Sequence, residues 1–151
     1  MPDRALILGG VHIPHPLGLL GHSDADVLTH AVMDALLGAV ALGDIGQHFP
    51  DSDARYRGIS SISLLREVAA KLALAGYRPF QVDVTLAAQS PKIAPFIPAM
   101  RECMAEAMTL NIDRVSIKAT TTEGLGFVGT GEGMAAYATA TVLSLNMMSQ
   151  A

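Results

Sequence analysis

The apolar pattern of this chain changes period several times, and the order of those changes restricts the fold more than any single motif. Val27, Ala31, Leu36, Leu37, Val40 and Ala41 recur at helical spacing as far as Gly43, and Ile62, Leu65, Val68, Ala69 and Leu72 do so as far as Gly76. Over 80–89 the period is two. Val82, Val84, Leu86 and Ala88 fall on one side and Asp83, Thr85 and Ala87 on the other, as in a half-buried strand. A third helix is expected over 98–110, after which Val115, Ile117 and Ala119 alternate with Ser116, Lys118 and Thr120. The Thr-, Val- and Tyr-containing stretch 134–145 reads as a last, long strand. At the front, apolar segments 5–8 and 11–13 flank Gly9-Gly10, a hairpin signal. Hairpin, helix, helix, strand, helix, strand, strand predicts a two-layer α/β sandwich. The 151 residues suit one domain, 1–151, without repeat or linker.

Charge narrows the functional classes. Only 16% of residues are charged, against roughly 25% in an average soluble domain, so part of the surface is expected to be covered by further copies of the chain. A net charge of −4 without a Lys/Arg cluster argues against nucleic acid, and a phosphate site in such a chain calls for metal ions. The longest apolar run, 35–43, is far short of the roughly 18 residues a membrane span requires. No basic leader opens the chain and Cys103 has no partner cysteine, which points to a reducing, cytoplasmic setting. Cys103, beside Met104 among helix formers, reads as an inert core thiol.

Polar residues gather in four places. In HSDADVLTH, a helix capped by Ser23 or Asp24 places Asp26, His30 and Asp34 on one face, and a carboxylate one turn from an imidazole is how a metal-ligating histidine is often oriented. An exposed Asp/His stripe has the same spacing. His22 precedes the helix, near amides suited to anions, and could also transfer a proton or be a plain surface residue. The stretch 44–58 is a loop by composition. Its Asp44-Ile45-Gly46 and Phe49-Pro50-Asp51-Ser52-Asp53 could hold polyol hydroxyls or be ordinary turn chemistry. Thr120-Thr121-Thr122-Glu123 offers three hydroxyls to phosphate oxygens and a carboxylate to Mg²⁺ or Mn²⁺, with Lys118 just upstream, and Ser90-Pro91-Lys92 sets one cation at another strand end. His12 and His15 receive no role.

Read in order, HSDADVLTH, LLGAVALGDIGQHFPDSD, AQSPK, KATTTEGLGF and GTGEG resemble the 2-C-methyl-D-erythritol 2,4-cyclodiphosphate synthases of the non-mevalonate isoprenoid pathway over essentially the whole chain. The resemblance implies an α+β fold, a two-layer sandwich with a mixed sheet and helices on one face, forming a homotrimer whose sheets surround an apolar axis. It implies cyclisation of a cytidine-diphosphate polyol phosphate with release of CMP, at sites between adjacent subunits. His30 matches a zinc ligand, and Glu123 matches the ligand of a second ion, Mg²⁺ or Mn²⁺. His22 and Thr121 match the pair that steadies the transition state. Ser23, Asp44, Gly46, Phe49, Asp51 and Asp53 match contacts to the polyol and its phosphate. The segment 88–94, with Ala88, Lys92 and Ala94, and Thr120 with Thr122 match the cytidine-diphosphate pocket, and Phe127 matches a further contact.

Two departures bear on activity. The family's first strand carries an Asp-x-His pair that completes the zinc site, whereas this chain starts at Met1-Pro2-Asp3-Arg4, past that point, and Thr130 replaces a basic residue of the glycine-rich loop. With His30 as a lone protein ligand, the expectation is a trimer with weak or no zinc-dependent synthase activity from these 151 residues. The alternatives are a non-catalytic trimeric nucleotide-binding module and, further off, an unrelated metal-dependent phosphohydrolase.

Overall fold

A computed structural model describes residues 6–14, 26–56, 58–88, 92–120 and 133–146. The chain opens with a hairpin of β1 (Leu6–Leu8) and β2 (Val11–Ile13) joined by Gly9 and Gly10, whose φ angles of 55° and 79° are those of a two-residue primed turn. A side chain at Gly10 would also collide with Ile62 and the Cys103 sulfur, so glycine is required there for room as well as conformation. Helix α1 (Val27–Ala39), the one-turn helix α2 (Ile45–His48) and helix α3 (Ser61–Leu74) follow, the last capped by the Ser60 hydroxyl, which accepts from Ser63 N–H at 3.1 Å. Then come β3 (Tyr77–Ala87), helix α4 (Ile97–Met108), β4 (Val115–Thr120) and β5 (Ala135–Ser144).

Strand β3 is central. It pairs parallel with β4, from Val82 opposite Val115 to Ala87 opposite Thr120, and antiparallel with β5, from Tyr77 opposite Ser144 to Ala87 opposite Ala135. The sheet is therefore mixed, and α1, α3 and α4 cover one face of it, as the α+β class requires. Val82, Val84, Leu86, Val115 and Ile117 point into that layer and meet buried Leu36, Leu65, Leu72, Met100 and Met104. β3 begins three residues before the visible alternation, because Pro79 lacks an N–H and the register shifts between Pro79 and Gln81.

The opposite face carries Gln81, Asp83, Thr85, Ser116, Lys118, Thr139, Thr141 and Tyr137, the last 70% exposed. Ala87, Ala135 and Leu143 share that face, so among the described residues it mixes polar and apolar side chains. Helix α1 stops at Ala39, short of the expected Gly43. Leu42 N–H reaches back to the Leu37 carbonyl at 2.9 Å and Ala41 N–H to Gly38 at 3.1 Å, a closing motif with Ala41 at φ 57°. α4 closes through Leu110 N–H on the Ala105 carbonyl at 2.9 Å, with Thr109 at φ 55°. Among the described residues no helix is long and apolar enough to cross a membrane.

Candidate active site

The first helix sets the site, and it starts later than expected. Its cap is Asp26, not Ser23 or Asp24, and the Asp26 carboxylate turns away from His30 to the hairpin. Oδ1 accepts from Gly9 N–H at 2.9 Å and Thr29 N–H at 2.9 Å, while Oδ2 accepts from Gly10 N–H and the Thr29 hydroxyl, each at 2.8 Å. The positive φ of both glycines aims successive amides at one anion, and the helix start supplies the rest. Asp26 is fully buried, and burial pushes its carboxyl above the ordinary range against the pull of these hydrogen bonds. Orientation of His30 falls instead to Ser61, the first residue of α3 and fully buried, whose Oγ lies 3.0 Å from His30 Nε2. Ser61 receives no role in the sequence analysis, and Ser60 caps the same helix. The signal for Ser61 was a second serine where one suffices as cap.

Asp34, one turn past His30, also serves the backbone: Oδ1 accepts from Ile45 N–H at 2.9 Å. The acidic segment is thus not all loop. Asp44 caps α2, accepting from Gln47 N–H at 3.0 Å, and the imidazole of His48 lies 2.8 Å from the Leu42 carbonyl. A 3₁₀ turn occupies Ala54–Tyr56. Gly46 is exposed, and a side chain there would meet only Asp44 Oδ1 at 3.4 Å, so nothing within the chain demands a glycine. The Phe49 ring is buried edge-on against Tyr56, centroids 5.1 Å apart, with the Lys71 ammonium 5.8 Å from its centre. The ring anchors the segment to the core. Asp51 is exposed, and Asp53 is gripped by Arg55, whose Nη2 and Nε donate to Oδ2 at 2.8 and 3.1 Å and hold the carboxyl below its usual range.

A second group lies where β3 and β4 end together. Ala88 N–H donates to the Thr120 carbonyl at 3.0 Å, extending the ladder past the last strand pair. Thr120 and Lys92 are exposed, and Ala94 opens the 3₁₀ turn Ala94–Phe96 that leads into α4. His22, Ser23, Thr121, Thr122, Glu123 and Phe127 lie outside the described residues, as does Thr130.

The model of the YgbB family matches residues 1–143 of the chain. This chain belongs to the YgbB family. A relative in Lachnospira eligens, named 2-C-methyl-D-erythritol 2,4-cyclodiphosphate synthase, is 60% identical over 147 residues, covering 97% of this chain and 79% of its own. One of the same name in Desulforamulus reducens is 60% identical over 140 residues, covering 93% and 89%. Among solved structures, a 2C-methyl-D-erythritol-2,4-cyclodiphosphate synthase in a CDP-bound form superposes with a TM-score of 0.86 at 37% identity, over 95% of this chain and 93% of that one.

Within this YgbB-family chain, one residue expected near phosphate is engaged elsewhere. The Lys118 ammonium donates to Asp83 Oδ2 at 3.0 Å on the open face of the sheet. That pairing and the nearby Ser116 hydroxyl hold the Asp83 carboxyl below its usual range, although its other oxygen, Oδ1, is covered and makes no hydrogen bond. Lys92 has no such partner among the described residues.

Proposed function

We propose that this chain cyclises 4-diphosphocytidyl-2-C-methyl-D-erythritol 2-phosphate to 2-C-methyl-D-erythritol 2,4-cyclodiphosphate, releasing CMP, as a homotrimer with its sites between subunits. The observation that carries the reading is similarity along nearly the whole chain to relatives named for that synthase. A solved relative in a CDP-bound form supports the cytidine-diphosphate half of the substrate. At 60% identity to named enzymes, the non-catalytic binding module is not favoured.

In the reaction, an oxygen of the 2-phosphate forms a bond to the β-phosphorus of the diphosphate. The bond from that phosphorus to the oxygen of CMP breaks, and CMP leaves with the electron pair. Asp44 and Asp53 accept from polyol hydroxyls, and Gly46 lets its backbone approach them. Arg55 keeps Asp53 ionised and fixed for that task. Ala88, Ala94, Thr120 and Thr122 are assigned to cytidine-diphosphate binding and Phe127 to a further substrate contact, while Lys92 supplies positive charge and His22 and Thr121 steady the transferring phosphoryl group.

Divalent ions, zinc at His30 and Mg²⁺ or Mn²⁺ at Glu123, would polarise the phosphoryl oxygens, which lets an acidic chain hold a multiply anionic substrate. His30, whose Nε2 lies 3.0 Å from Ser61 Oγ, would hold the zinc through a ring nitrogen. An acidic chain of low cysteine content suits the bacterial cytosol or plastid stroma and binds no nucleic acid. Incubating the full chain with the substrate and divalent ions, followed by phosphorus NMR, is expected to yield cyclodiphosphate and CMP in equal amounts, at a low rate with His30 as the lone protein ligand of zinc. Inorganic phosphate in place of CMP would assign a phosphohydrolase, and no turnover would overturn the reading.

A further inference from the structure

Asp34 belongs to none of the residues given a role above, yet the structure engages its carboxylate in one definite task. The side chain is exposed, makes no ion pair among the described residues, and accepts the Ile45 N–H at 2.9 Å. Ile45 is the first residue of α2 and follows Asp44, whose own carboxylate is committed to Gln47 N–H at 3.0 Å. The two carboxylates take the amides on either side of Gly46. The amide of Gly46 itself meets no acceptor among the described residues. Gly46 has neither a left-handed φ nor a neighbour that would exclude a side chain. Gly46, set between two pinned amides, leaves its own amide and the space beside it open to a ligand.

We infer that Asp34 is a positioning residue. It ties the Asp44–Gly46 segment to α1, one helical turn from His30, so that the polyol-binding segment and the imidazole keep a fixed separation. The inference rests on the function proposed above and names a residue that sets substrate affinity in that site without touching substrate. Its chemistry is acceptance of one N–H, which an asparagine Oδ1 also performs. Charge is not part of the role.

The test compares Asp34→Ala and Asp34→Asn in the full chain, by steady-state CMP release and by hydrogen exchange at Ile45 in ligand-free protein. Asp34→Ala is expected to raise KM about tenfold with kcat within about twofold, and to speed exchange of the Ile45 amide by about tenfold or more. Asp34→Asn is expected to restore both to within about threefold of the parent. Faster Ile45 exchange with unchanged KM overturns the positioning role, as does an asparagine variant as impaired as the alanine one. If the parent chain releases no CMP, the proposed function fails, and unaltered Ile45 exchange in Asp34→Ala separately overturns the tie between Asp34 and α2.

Discussion

At the scale of single residues, Asp26 does the most with the least exposure. One buried carboxylate satisfies three backbone amides and a hydroxyl drawn from the hairpin turn and the first turn of α1. Asp26→Ala strands all four donors away from water, and the expected loss is about 3–5 kcal/mol of stability. Urea denaturation would register it as a lower midpoint at an unchanged slope. Asp26→Asn, which keeps one acceptor oxygen, is expected to fall between. This residue also marks where local reading fails. Spacing correctly puts Asp26 near His30 along the chain, but which way its side chain turns is decided by Gly9 and Gly10, sixteen or more positions earlier. Ser61 escaped notice for the same reason, since its partner His30 is 31 positions away. The motifs mark residue types with chemical potential, whereas the pairing of those residues is a tertiary property.

Among the elements, the strongly periodic segments were the legible ones. α3, β3 and β4 occupy the stretches their patterns indicate, since burial of one face imposes the period. Ends were not legible. α2 hides inside a Gly-, Pro- and Asp-rich stretch because two side-chain carboxylates, one of them from α1, supply acceptors that its first amides lack locally. The end of α1 is set by hydrogen bonds that force Ala41 into a conformation alanine does not favour. Thr109 pays more for the same service at the end of α4, since its side chain is β-branched and its φ is 55°. Thr109→Gly removes that strain at an exposed position, with an expected gain of about 1 kcal/mol. A rise in thermal midpoint of a few degrees would confirm it, and a fall would mean that the threonine side chain makes a compensating contact.

For the whole molecule, the mixed sheet covered on one side leaves the other side to be explained. Its three strands present threonines, one ion pair, Tyr137, Leu143 and two alanines, a mixed surface not covered by any helix of the same chain among the described residues. The homotrimer proposed here predicts a solution mass of three times 15.8 kDa. Static light scattering returning one chain would remove the shared site along with the trimer.

The placement of β5 carries a further consequence, for how the chain is made. α1 packs more extensively on β5 than on any other element, and β5 lies antiparallel to β3 with Tyr77 opposite Ser144, two positions separated by 67 residues. A ribosome has therefore released at least 134 residues before the first long helix can meet its most extensive partner, the last strand. Contacts of such long range make folding slow relative to a helical bundle of equal size. During synthesis α1 can pack on α3 and β3 but lacks its most extensive partner until β5 emerges, and a chain cut short before residue 135 leaves that part of the helix uncovered.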